Sequence, residues 1–275
     1  MMSDDRIIYH YCSAETFLKI IESKSLFLTS TKTMNDALEM EWFRRLFVNS
    51  LNNKIGEGVK KDILDLMYTN VLINTTPKYI ACFSEARDSL SQWRAYADDG
   101  KGVALGFSIN DMKIRQQPPA TMAIDNDDRS IGLCRIVYEK TKQERHINNF
   151  MDEYIKKSED AASTIFMSMF ATIFKNPAFS EEREWRIIHS PLMPYHGSTG
   201  DSMVMGKISE CNFRMTNFGI SPYFIWDFSK HTPLPIKEVI LGPQCRSDPN
   251  DIDFFLNYKG FKDVSISVSS ASYRS

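Results

Sequence analysis

The chain lacks the spacings that announce most familiar chemistries. Its five cysteines (Cys12, Cys82, Cys134, Cys211 and Cys245) are odd in number, widely spaced and never in a Cys-x-x-Cys pair. That argues against a disulfide framework and a cysteine zinc site, and for reduced thiols, mostly core, in a cytosolic protein. There is no His-Glu-x-x-His, no Gly-x-Ser-x-Gly and no Walker-type loop. Gly100, Gly102 and Gly106 are not followed by Gly-Lys-Ser/Thr. His189 and His196 fit no familiar metal spacing, and both fall in a stretch read as loop, so no metal is expected. Nothing selects one cysteine as the nucleophile of a Cys/His pair. Charge of one sign is also missing: 33 basic against 35 acidic residues leave a formal net charge of -2, with no basic bias toward nucleic acid. The most apolar run, Ala161 to Phe174, is interrupted by Ser163, Thr164, Ser168 and Thr172; it is too short to span a bilayer and reads as a buried helix. Met1 to Arg6 is polar and acidic, unlike a signal peptide. Without repeats, linkers or low-complexity segments, residues 1–275 read as a single domain, cytoplasmic and with no membrane partner.

What is present is an ordinary globular composition, 43% apolar and 25% charged. Strands are expected at Arg6 to Tyr11, Leu26 to Ser30, Tyr79 to Ser84, Val103 to Phe107, Ile131 to Tyr138, Met203 to Ile208, Tyr223 to Trp226, Ile236 to Leu241 and Val264 to Val268. Ser13 suits an N-cap for a helix bearing Phe17, Leu18, Ile20 and Ile21. Asn35 or Asp36 suits the cap of a helix carrying Glu39, Trp42 and Phe43. Lys54 to Ile73 and Ser89 to Ala97 read as helices, as does most of Lys140 to Phe174, broken near Ser158 to Asp160. A terminal helix has Asp248 as its cap and Pro249 at its first position, where a missing N–H costs nothing. Strands not regularly separated by helices predict an α+β domain with mixed or antiparallel sheets flanked by helices, rather than a doubly wound sheet. Gly106, inside a strand, hints at a close approach by backbone or ligand.

The stretch that stands out is Phe179 to Ile188, which reads as a strand carrying charge. With a period of two, Glu182, Glu184 and Arg186 share one face, and Arg183, Trp185 and Ile187 the other. Two neighbouring carboxylates repel, which fits a site for a positive ligand or a developing cation. It equally fits a solvated face salt-bridged to Arg183 and Arg186. His10, at a strand end, reads either as a ligand contact or as a half-buried structural histidine. Trp93 and Tyr96, three apart on a helix, suit either the core or stacking on a ring.

Three segments carry a resemblance. They are Tyr9-His10-Tyr11 with Leu26 to Ser30 and Met34-Asn35-Asp36-x-x-Glu39; Ser91-x-Trp93-x-x-Tyr96-Ala97 with Gly102-Val103-x-Leu105-Gly106-Phe107; and Phe179-x-x-Glu182-x-Glu184-Trp185-Arg186. With Leu241-Gly242-Pro243 and Ser270-x-x-Tyr273-Arg274 they resemble the bacterial domain-of-unknown-function family 2971 over nearly the whole chain. More distantly, a first-strand Tyr-His, a strand ending in Ser/Thr and a late Glu strand resemble the ADP-ribosyltransferase fold. That resemblance implies NAD as substrate, His10 as its holder, Glu184 as the catalytic carboxylate and Glu182 as the group activating an acceptor, protein or nucleic acid. For the element lining the nicotinamide pocket it leaves two candidates, Ser30 within Thr29-Ser30-Thr31, or Tyr96. It implies an NAD-dependent transferase, a toxin or phage-defence effector. An NAD glycohydrolase and a non-catalytic module binding a nucleotide or a protein stand as alternatives.

Overall fold

The computed structural model describes residues 6–33, 37–73, 77–120, 128–157, 167–192, 204–217 and 219–271. Its framework is a ten-stranded sheet of β1 (Ile7–Cys12), β2 (Ser25–Ser30), β3 (Tyr79–Ser84), β4 (Val103–Ser108), β5 (Ile131–Arg135), β6 (Glu184–His189), β7 (Asn212–Thr216), β8 (Gly219–Asp227), β9 (Ile236–Leu241) and β10 (Ser265–Val268). The order is β10-β9-β4-β1-β3-β2-β8-β7, and β5 joins through β6, which pairs β3. Among the described strands only β9 and β10 pair in parallel. This is the mixed α+β domain that the strand pattern predicts, with an open, mostly antiparallel sheet.

The sheet divides at β3. One edge of β3 pairs with β6 along its whole length, from Tyr79↔His189 to Ser84↔Glu184. The other edge is shared: β2 takes its start at Thr29↔Ile80 and Ser30↔Tyr79, and β1 takes its end at Tyr9↔Ser84. β1 and β2 therefore splay apart, and among the described residues Ala81, Cys82 and Phe83 have no strand partner on that edge. This gap positions the site.

Alternation along the strands sends their side chains to two cores. Ile8, Leu28, Phe83, Phe107, Trp185, Ile187 and Phe224 pack on one face. There they meet Phe17 and Ile20 of α1 (Ala14–Ser23) and Leu256 of α7 (Pro249–Tyr258). On the other face Ile80 and Ile188 meet Phe43 and Phe47 of α2 (Ala37–Gly56), Met67 of α3 (Lys61–Tyr68), Met151 of α5 (Lys140–Lys157) and α6 (Phe170–Ile173). Farther along that face, Tyr9, Tyr11, Ala104 and Ile240 pack on Trp93 and Ala97, at α4 (Leu90–Tyr96). The caps follow the sequence: Ser13 accepts from the Thr16 amide, and Asp248 from the Asn250 amide with Pro249 at the first position. Asn35, Asp36, Ser158 to Asp160, His196 and Met203 lie outside the described residues.

Several expectations need correction. Lys54 to Ile73 is not one helix: α2 stops at Gly56, Gly58 turns the chain at φ +85°, and α3 is followed by a wider turn over Thr69–Ile73. Residues 204–208 form no strand, only a bridge between Leu192 and Met205. The strand expected before Glu184 is a 3-10 helix, Pro177–Glu182, started by Pro177 and an Asn176 cap and stopped by Arg183 at φ +44°. A pyrrolidine ring preset for a turn overrides the alternating pattern there. β7 had no counterpart in the sequence reading. Gly106 is approached by side chains: an added Cβ would sit 2.9 Å from Ile7 Cγ2 and 3.1 Å from the Tyr9 ring.

Candidate functional site

The gap between β1 and β2 opens into a cavity of about 520 Å³, within the range of small-molecule pockets. His10, Cys82, Gln92, Tyr96, Lys175, Glu182 and Glu184 line it, joined by Phe27, Thr29, Arg214, Thr216 and Asn217. Of the five residues singled out in the sequence, four meet here: His10, Tyr96, Glu182 and Glu184. Ser30 does not line it. On a strand, neighbours face opposite ways; Phe27 and Thr29 turn toward the cavity, and Ser30 turns away and is buried.

His10 reaches the cavity through the gap. Its Nδ1 lies 2.9 Å from the Cys82 carbonyl, on the part of β3 that lacks a strand partner. A carbonyl only accepts, so Nδ1 carries the proton and Nε2 is the acceptor in the neutral ring. Burial pulls the His10 pKa below its ordinary value, against the opposing effect of the Cys82 bond. Tyr96 and Trp93 part ways. Trp93 is fully buried with its indole donating to Asp88 at 2.6 Å, whereas Tyr96 is half-exposed at the cavity. The Tyr96 hydroxyl has its pKa pushed up, by desolvation first and then by the Glu182 charge.

The inner end is an ion-pair network. Arg186 grips Glu184 with two bonds, Nε to Oε1 at 2.6 Å and Nη2 to Oε2 at 2.9 Å. Its Nη1 donates to the Thr172 carbonyl at 3.0 Å. Lys175 Nζ bridges the two carboxylates, at 2.6 Å from Glu182 and 3.1 Å from Glu184. Glu184 is 5% exposed and Arg186 2%, so their mutual pairing is what makes their burial tolerable. Desolvation pushes the Glu184 carboxyl up, but Arg186 and then Lys175 outweigh it and hold its pKa down to about 2. Burial and the Glu184 charge keep the neighbouring Cys82 thiol protonated.

The carboxylates have two positive partners: Arg186, as the salt-bridged alternative expected, although the pair is buried rather than solvated, and Lys175, which the sequence reading passed over. Its backbone is fixed beside β6 by its own N–H to the Val137 carbonyl and by Gln143, whose Nε2 donates to its carbonyl at 2.8 Å. A buried glutamine on α5 gives no signal in sequence that it positions a lysine elsewhere. Arg214 was also missed, because it sits on β7.

Among the described residues no group of three or more His, Cys, Asp or Glu is arranged to hold a metal ion. Nor is any helix among them long and apolar enough to cross a membrane. A family model described as "Protein of unknown function (DUF2971)" matches residues 92–187, taking in Tyr96, Lys175, Glu182, Glu184 and Arg186 but not His10. The match supports the resemblance to that family. No curated protein and no solved structure matches the chain.

Proposed function

We propose that the chain binds NAD in the cleft between β1 and β2, breaks its nicotinamide–ribose bond and passes ADP-ribose to an acceptor, on a fold akin to the ADP-ribosyltransferases. The observation that carries this reading is that His10, from the first strand, and Glu184, from a late strand, line one cavity together with Glu182 and Tyr96. The neutral His10 ring offers Nε2 to a ribose hydroxyl. The half-exposed Tyr96 ring offers a face to nicotinamide.

In the reaction the C1′–N bond breaks, its electron pair stays on the nitrogen, and neutral nicotinamide leaves. Positive charge develops on the ribose, as in glycoside cleavage. Glu184, ionised and held rigid by Arg186 and Lys175, faces that charge without having to reorganise. An acceptor nucleophile then bonds to C1′ and gives its proton to Glu182. With water as acceptor, the same steps release ADP-ribose, as in an NAD glycohydrolase.

A non-catalytic nucleotide-binding module is the second reading. It is favoured by the engagement of both Glu184 oxygens by Arg186 and Lys175, which offsets the charge a ribosyl cation needs. Nicotinamide release, measured with and without cell lysate as acceptor source, separates the readings. Glu184→Gln is expected to lower release by roughly 10²-fold or more, the scale of one lost transition-state contact, with NAD affinity changing much less. Glu182→Gln is expected to impair transfer while sparing some hydrolysis. Wild-type protein that binds NAD without consuming it would favour the module.

A further inference from the structure

At its outer end the cleft has a cation that the inner network does not neutralise. Among the described residues the inner end sets two cations, Lys175 and Arg186, against two carboxylates, Glu182 and Glu184. Arg214 is different. Through the ladder Thr29↔Tyr223↔Asn212, the side chains of Phe27, Thr29, Tyr223, Arg214 and Thr216 fall on one sheet face, the face of the cavity. The guanidinium donates from Nη2 to Thr29 Oγ1 at 2.8 Å and lies 5.8 Å from the centroid of the Tyr223 ring. Tyr223 is backed by Phe27, with centroids 4.5 Å apart. No carboxylate pairs with Arg214 among the described residues. One of its five N–H donors is used on a neutral hydroxyl, and the planar fork is held by a ring face.

We infer that Arg214 is the anion anchor of this cleft and grips the diphosphate of a nucleotide ligand, with Thr29 and Tyr223 setting its orientation. The fork matches two phosphate oxygens at once, which a single ammonium does not. The half-exposed rings of Phe27 and Tyr96 line the same cavity and give the ligand's flat ring something to stack on. The inference rests on the reading of the cleft as an NAD site and names the contact that holds the ligand's charged middle.

The test is calorimetric titration of the full chain with ADP-ribose, adenosine and inorganic pyrophosphate, for wild type, Arg214→Ala and Arg214→Lys. Steady-state nicotinamide release from NAD is measured on the same proteins. Loss of charge-assisted bonds to one diphosphate is expected to weaken ADP-ribose binding by about 10- to 100-fold in Arg214→Ala. Arg214→Lys should recover only part of this, and adenosine affinity should stay unchanged. Equal ADP-ribose affinity in wild type and Arg214→Ala overturns the anchor, as does a wild type that binds no ADP-ribose. NAD cleavage with an unchanged KM in Arg214→Ala removes the anchor and leaves the transferase reading standing. Arg214-dependent ADP-ribose binding without NAD cleavage removes the transferase reading and leaves the anchor standing.

Discussion

The two ends of the cleft hold charge in opposite ways. At the inner end Glu184 and Arg186 are buried and satisfy each other, with Lys175 bridging to Glu182. At the outer end Arg214 is exposed and rests on a hydroxyl and a ring. A buried charge that loses its partner is stranded in low dielectric, whereas an exposed one is taken up by water. Inner-end residues are thus held by the fold itself, while Arg214 is expected to be dispensable to it. If the proposed transferase reading holds, a carboxylate fixed in this way supplies the preorganised electrostatic stabilisation that the reaction needs.

The largest break in this contrast is Arg186→Ala. It strips both guanidinium bonds from the buried Glu184, leaving Lys175 as its cation among the described residues, and is expected to destabilise by about 3–5 kcal/mol, measured by urea unfolding. A loss near zero would mean that water reaches Glu184. An intermediate effect comes from acid. His189 is buried; its Nδ1 donates to the Ser130 carbonyl, its Nε2 has no hydrogen-bond partner among the described residues, and burial pulls its pKa down to about 3. The unfolded chain therefore takes up a proton that the folded one refuses, and stability falls as pH drops below about 6.5. Glu184, held at about 2, adds a second loss below about pH 4.5, where its unfolded carboxyl protonates. Each proton contributes a slope of up to about 1.4 kcal/mol per pH unit. His189→Asn, which keeps a donor toward Ser130, should make the profile shallower between pH 6.5 and 5 in pH-dependent unfolding, with His10, whose pKa burial also lowers, contributing the slope that remains. A wild-type profile already flat there contradicts this account. The smallest effect is that of Arg214→Ala on stability, expected within about 0.5 kcal/mol; a loss of several kcal/mol would erase the distinction between the two ends.

The strands were legible wherever a local pattern decided them. Tyr79–Ser84 and Ile236–Leu241 carry their aromatic and β-branched residues through to the core, and both have the expected bounds. β7 was not legible, because Phe213 and Met215 are 66% and 74% exposed and nothing in such a strand marks a buried face. The loss of the strand before Glu184 has a local cause, since Pro177 starts a helical turn that runs until the left-handed Arg183 ends it. Glu182 still reaches Glu184, but by way of Lys175 rather than a shared strand face. The meeting of His10 with Glu184 was legible only through resemblance. It depends on β1 and β2 splitting at β3, a long-range feature that no window of residues encodes.

By the proposed function, NAD occupies the split between β1 and β2. That occupancy is tested most directly by following the imidazole resonances of the five histidines by NMR as NAD is added, with the His10 signal assigned from a His10→Gln variant. The account predicts that the His10 signal moves in a saturable way and that the buried His189 signal stays in place. A His10 signal that does not move at NAD concentrations in the millimolar range, or NAD-dependent shifts confined to other histidines, would contradict it.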